Sequence, residues 1–203
     1  MENPHVHRCT SYVSDLSKNW AYVDTKGQET LRDSSEITKG SSNEDVLIPE
    51  VFVESLADWG AIGVAYVPVQ EIGSKSRSDT NSEGDTGTYK AAAELDNVVQ
   101  FYVDMPFADA YGATIYGKVG VQHATIKTLE SLNSGSTYPD ADLIGLTLGL
   151  GTKGDLQNNF YYKAEATYTN FEEYAADSTS TPANNVEAEI QDFALKFSIG
   201  RKF

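Results

Sequence analysis

An antiparallel, up-and-down transmembrane β-barrel of about eight strands is the all-β fold this sequence predicts. Three observations predict it: apolar and polar residues alternate at period two in segment after segment, the connections alternate between short and long, and aromatic residues gather at strand ends. At 203 residues the chain fits one large all-β domain better than two ordinary ones. Residues 1–10 read as an unstructured tail and residues 11–203 as a single barrel.

The sixteen Gly and the long runs of Ser, Thr, Asp and Asn suit strands joined by polar loops. A formal charge of -15 opposes any nucleic-acid partner, because phosphate binding needs a basic footprint. The acidity concentrates in two expected loops, Glu36 to Asp45 and Asp79 to Asp85, where solvation alone accounts for it. Charge-free stretches such as Leu143 to Thr152 are far too short for a spanning helix of about 20 apolar residues, so spanning requires strands closed on themselves.

Residues 1–10 carry neither a basic n-region nor an apolar h-region, so no signal peptide is visible there. An exported protein should have one, and the expectation is that the start has been truncated or mis-assigned. Cys9 follows no apolar segment, which excludes a lipoprotein attachment site, and a single Cys permits no internal disulfide.

The first strand is the least legible. An even strand number places the first strand near Tyr12 to Val23, where poor alternation reads as an incomplete or poorly formed strand; the alternative is that the true first strand was lost with the signal sequence. Asp24 to Asp45 then reads as a long loop. Ile48 to Leu56 sets Val51 and Val53 opposite Glu50 and Glu54, and Gly60 to Gln70 sets Ile62, Val64 and Tyr66 opposite Ala61, Gly63 and Ala65. Lys90 to Asp104 places Leu95, Val99, Phe101 and Val103 against Glu94, Asp96 and Gln100. Tyr111 to Thr128 places Ile115, Val119 and Val121 against Lys118, Gly120 and Gln122. In Asp142 to Thr152 four apolar residues, Ile144, Leu146, Leu148 and Leu150, oppose Gly145, Thr147, Gly149 and Gly151. Phe160 to Phe171 alternates Phe160, Tyr162, Ala164, Ala166 and Tyr168 with Lys163, Glu165, Thr167 and Thr169. The last strand has the cleanest pattern, with Phe193, Leu195, Phe197, Ile199 and Phe203 on one face and Asp192, Ala194, Lys196, Ser198, Gly200 and Lys202 on the other. Short links at Ala57 to Trp59, Met105 to Ala110 and Lys153 to Asn159 alternate with long ones at Glu71 to Tyr89, Leu129 to Ala141 and Glu172 to Val186. That is the rhythm of periplasmic turns and extracellular loops.

A soluble lipocalin-like ligand-binding barrel would also alternate, with its apolar face turned inward. Three features favour the membrane. Several strands exceed ten residues, where soluble strands average about five or six. Glu94, Lys118, Gln122, Lys163, Glu165 and Lys196 fall among small polar residues, as a narrow polar lumen requires, and are the lumen-facing candidates. Trp59, Phe107, Tyr111, Phe160, Tyr161 and Tyr162 lie beside the short turns and Phe203 ends the chain on the same side, which makes one aromatic girdle; Tyr168 and Phe193 fall at the other. Phe193 and Phe203 stand about 25 Å apart along the axis at about 3.3 Å per residue and a tilt of about 40°, the height of an apolar band. Arg201 shares the lipid-facing parity, but two residues from the chain end its cost falls to about 0 to 1 kcal/mol.

The terminal run Phe193 to Phe203 resembles the last strand of Gram-negative outer-membrane barrels, where a terminal aromatic residue and alternate hydrophobics are read by the barrel assembly machinery. Tyr116-Gly-Lys-Val-Gly-Val121 is similar to the inner strands of the opacity-type family of small eight-stranded barrels, related in architecture to the OmpA transmembrane domain. The resemblance covers Val46 to Phe203. It implies residence in a Gram-negative outer membrane, contact with outer-leaflet lipids and the assembly machinery, periplasmic termini and no catalysis.

No cofactor, metal or catalytic residue is expected. Asp79 to Asp85 matches the start of a calcium loop, but Lys90 stands where the bidentate Glu belongs. His123 has Thr125 on its face and Glu130 in the following loop but no suitably spaced Ser. His5 and His7 lie in the tail. The expected function is a structural or surface-exposed barrel, adhesive or protective through its acidic loops, with a narrow channel for water or small solutes as the alternative.

Overall fold

The computed structural model describes residues 11–30, 35, 37–80, 86–131, 137–179, 183 and 185–203. The strands are β1 (Ser11–Thr30), β2 (Ile37–Pro49), β3 (Val51–Ala57), β4 (Gly60–Val67), β5 (Gln70–Thr80) and β6 (Thr86–Ala110). They continue as β7 (Ala113–Ser131), β8 (Ala141–Asp155), β9 (Phe160–Phe171), β10 (Tyr174–Asp177) and β11 (Asn185–Lys202). β2 runs on into β3, β4 into β5 and β9 into β10, so the eleven strands make eight staves. Each stave pairs antiparallel with the next in sequence, and β11 pairs back onto β1 from Tyr12 with Lys202 to Thr30 with Asn185. That last ladder closes the ring and leaves no free edge along β1.

β1 is therefore a complete first stave, paired with β11 on one side and with β2 and β3 on the other. Its poor alternation has a physical cause: the register against β11 shifts between Ser14 and Leu16, and an inserted residue moves everything beyond it to the opposite face. The long link expected from Asp24 to Asp45 is mostly a tall hairpin, with β1 and β2 paired from Lys18 with Pro49 up to Thr30 with Ile37. β5 and β6 form a second such hairpin, up to Thr80 with Thr86. Paired polar strands satisfy their backbone as well as water would, so loop-like composition did not mark them as strands. The tail, 1–10, and most of the possible calcium loop, 81–85, lie outside the described residues.

The orientation is that of a barrel in lipid. Leu146, Leu148 and Phe197 are 55%, 54% and 53% exposed on the outer wall, with Val119, Val121 and Leu195 exposed beside them. A soluble barrel would bury these residues in a dry core, so that alternative is set aside. Just above the outer apolar rows, on the outward face, Lys127 is paired with Asp96 and Thr125 donates to Asp142, which marks the polar boundary of the band. Phe193, Tyr168 and Tyr22 meet in register near that boundary. Trp59, Phe107, Tyr111 and Phe203 are exposed at the other end with Phe160 and Tyr162 half-buried beside them. Tyr161 departs from the expected girdle: it points inward and is buried. Arg201 sits opposite Phe160, its guanidinium 5.8 Å from the ring centroid, a cation–π contact that offsets part of its desolvation.

Candidate functional site in the barrel lumen

Inward-facing residues form three layers. Nearest the short turns is a packed plug. Lys163 donates to Asp104 at 2.7 Å and to Glu54, Lys118 meets Glu165 at 2.6 Å, and the Tyr102 hydroxyl donates to Glu54 at 2.8 Å. The Lys118 ammonium lies 3.6 Å over the Tyr102 ring. With Lys153 beside Tyr116, three cations face three carboxylates. Such a group is stable only when every charge is matched, because removing one partner from a buried pair costs about 3 to 5 kcal/mol.

Glycines on neighbouring staves make room for the plug's rings. A Cβ built on Gly63 would stand 2.2 Å from the Tyr102 ring, and one on Gly151 would stand 2.4 Å from that of Tyr116. Gly151 belongs to the small face of β8 noted in the sequence, which is thus the bed of the Tyr116 ring, as Gly63 on β4 is of the Tyr102 ring.

The second layer is a polar floor. Lys196 donates to Glu50 at 2.5 Å, Gln100 donates to Gln122 at 3.2 Å and to Thr147 at 2.9 Å, and Thr147 meets Thr169 at 2.8 Å. Above it the lumen turns apolar: Val23, Val98, Ile126, Leu143, Phe171 and Ile190 pack into one cluster. Tyr174 closes that cluster from β10, its hydroxyl donating to the Pro139 carbonyl at 2.9 Å, and Thr137 and Thr179 bond across the two neighbouring connections. Between floor and apolar layer is a cavity with about 40 Å³ open to the centre of a water-sized guest, its wall formed by Ala21, Ile48, Ala65, Val67, Leu95 and Ala194 among others and its floor by polar residues that include Gln100, Asp192 and Lys196.

The wall beside this cavity is interrupted. β3 and β4 pair from Ala57 with Gly60 as far as Val51 with Tyr66. Two residues further along the same register Pro49 would oppose Pro68, and neither has an N–H to donate. Beyond the prolines no ladder joins β2 to β5 among the described residues; each pairs only with its other neighbour. Ile48 and Val67, which flank the prolines, both line the cavity.

Of the residues expected to face the lumen, Lys118, Gln122, Lys163 and Glu165 are buried inside and Lys196 is nearly so. Glu94 is not among them. Asn97 adopts a left-handed conformation (φ 51°) and the register against β7 shifts between Asp96 and Val99, so Leu95 takes the inward position and Glu94 the outward one, opposite Lys127. Glu50, Glu54, Tyr102, Asp104 and Asp192 were not singled out, although each shares the inward parity of its strand.

His123 stands on the outer wall, half-exposed, its Nε2 3.7 Å from Asp142, while Thr125 donates to the same carboxylate at 2.7 Å. The Thr125 hydroxyl thus gives its hydrogen bond to the carboxylate, whereas nucleophile activation requires a hydroxyl that donates to the imidazole.

No protein-family model matches the chain, and no curated protein matches it in sequence. Solved structures do match. The outer membrane protein OprG from Pseudomonas aeruginosa superposes with a TM-score of 0.66 at 13% identity, over 97% of each chain. The outer membrane protease OmpT from Escherichia coli gives 0.55 at 10% identity over 100% of this chain and 99% of its own, and the outer membrane protein AlkL gives 0.52 at 13% over 100% and 94%. At such identities the likeness speaks to architecture: this chain has the fold of the small outer-membrane β-barrels.

Proposed function

We propose that the chain resides in a Gram-negative outer membrane and admits small, largely apolar molecules from the cell surface into its luminal cavity, releasing them sideways into the bilayer. One observation carries the reading: an apolar cavity blocked below by an ion-pair plug, beside a wall segment that lacks its ladder. A solute inside the cavity meets matched charges along the axis, where desolvation opposes it, and apolar side chains toward the gap between β2 and β5. The matched plug speaks against a narrow channel for water or ions along the axis.

The test is uptake of the apolar fluorophore N-phenylnaphthylamine by intact Gram-negative cells exporting the protein. Ala194→Phe places a ring in the cavity and should return uptake to the level of cells without the barrel, while heat-modifiable gel migration verifies that the variant folds. Uptake unchanged in folded Ala194→Phe contradicts the reading.

A second reading, an adhesive or protective surface role, draws support from the tall β1/β2 and β5/β6 hairpins, which extend well past the row of Tyr22 and Phe193. It predicts that trimming those hairpins abolishes surface attachment and leaves uptake intact.

A further inference from the structure

The cavity floor holds one carboxylate that the ion pairs leave over. In the plug three cations meet three carboxylates, and on the floor Lys196 donates to Glu50 at 2.5 Å. Asp192 also lines the cavity, two pleat repeats along β11 from Lys196 with Ala194 between them, and its Oδ1 is buried with no hydrogen-bond donor among the described residues. A second acceptor stands on the same floor. Gln100 uses its amide nitrogen on Gln122 and Thr147, and its Oε1 is buried without a donor among the described residues. The cavity therefore has acceptors to spare, while Lys196, the cation in its lining, is already engaged.

Apolar walls and unmatched acceptors select one kind of guest. A wholly apolar molecule would leave both oxygens unsatisfied, and a carboxylate would add a like charge beside Asp192 and Glu50. A donor head meets the need, and a cationic one also balances the surplus negative charge.

We propose that the cavity binds a small amphipathic molecule with an apolar body and a single hydrogen-bond-donating cationic head, a primary alkylamine in the simplest case, its head on Asp192 and Gln100 and its body along Ala21, Val23, Val67 and Ile190. This rests on the cavity reading above and names the ligand class that reading leaves open.

The experiment is calorimetric titration of the full chain in phosphatidylcholine nanodiscs with hexylamine, hexanol and hexanoate, empty nanodiscs subtracted. Hexylamine should bind about tenfold tighter than hexanoate, with hexanol between them. In the near-isosteric Asp192→Asn, checked for folding by heat-modifiable migration, hexylamine should fall to the affinity of hexanol. Should that variant fail to fold, the order of the three ligands on the unaltered protein decides. Equal affinities, or a preference for hexylamine that survives Asp192→Asn, overturn the head-group assignment and leave the cavity reading standing. Absence of binding by all three overturns both.

Discussion

Lys163 shows how little freedom the plug allows. Its side chain is 1% exposed and its ammonium lies against Glu54, Asp104 and Glu165, so one side chain holds three carboxylates that would otherwise repel one another. Lys163→Ala should therefore destabilise the folded barrel by about 3 to 5 kcal/mol, read as the urea midpoint of refolding in bicelles. A change below about 1 kcal/mol would mean that water already screens the group, as it does at surface pairs. The contribution of these residues was partly legible in the sequence, since Lys118, Lys163 and Glu165 stand alone among small residues at inward parity. Their partners were harder to read. Glu54 and Asp104 come from staves far away in sequence, and alternation reveals which face a residue occupies but not which stave it meets. Glu94 was misplaced because a single left-handed residue, Asn97, reverses parity without any Gly to announce it.

Pro49 and Pro68 act at the level of the element. Alone, either proline would mark an edge or a bulge; facing each other in register, they stop a ladder that would otherwise run up the wall. Their meeting depends on the β3/β4 hairpin, whose tight link at Asp58 and Trp59 fixes the register, so two residues nineteen apart in sequence become opposed. Restoring both donors with Pro49→Val/Pro68→Val should let β2 and β5 pair. Amide protons of β5 should then gain protection from hydrogen exchange, and uptake of the apolar probe should fall. Exchange in β5 that stays as fast as in the unaltered chain would show that the prolines do not hold the gap. The staves themselves followed from period-two patterning wherever one face meets lipid, which is why β8 and β11 were plain. The upper parts of β1, β2 and β5 rise beyond the lipid; polar on both faces, they carry no such pattern.

The whole molecule depends on inversion: apolar side chains face outward, and the charges are gathered around the axis. The eight-stave ring leaves an interior that side chains can fill, so the plug seals the lower half while smaller apolar residues leave a cavity above. Closure of β11 onto β1 makes this possible in hydrocarbon, where an open edge would leave backbone groups unsatisfied. The direct measurement is collision of a nitroxide spin label with oxygen and with a water-soluble nickel chelate along β8, in a Cys9→Ser background reconstituted into lipid vesicles. Labels at Leu146 and Leu148 should be relaxed by oxygen and spared by nickel, and a label at Thr147 should be shielded from both. Nickel access at Leu146 and Leu148 equal to that of a label in water, or a shielded pair with Thr147 in lipid, would contradict the orientation from which every other conclusion here is built.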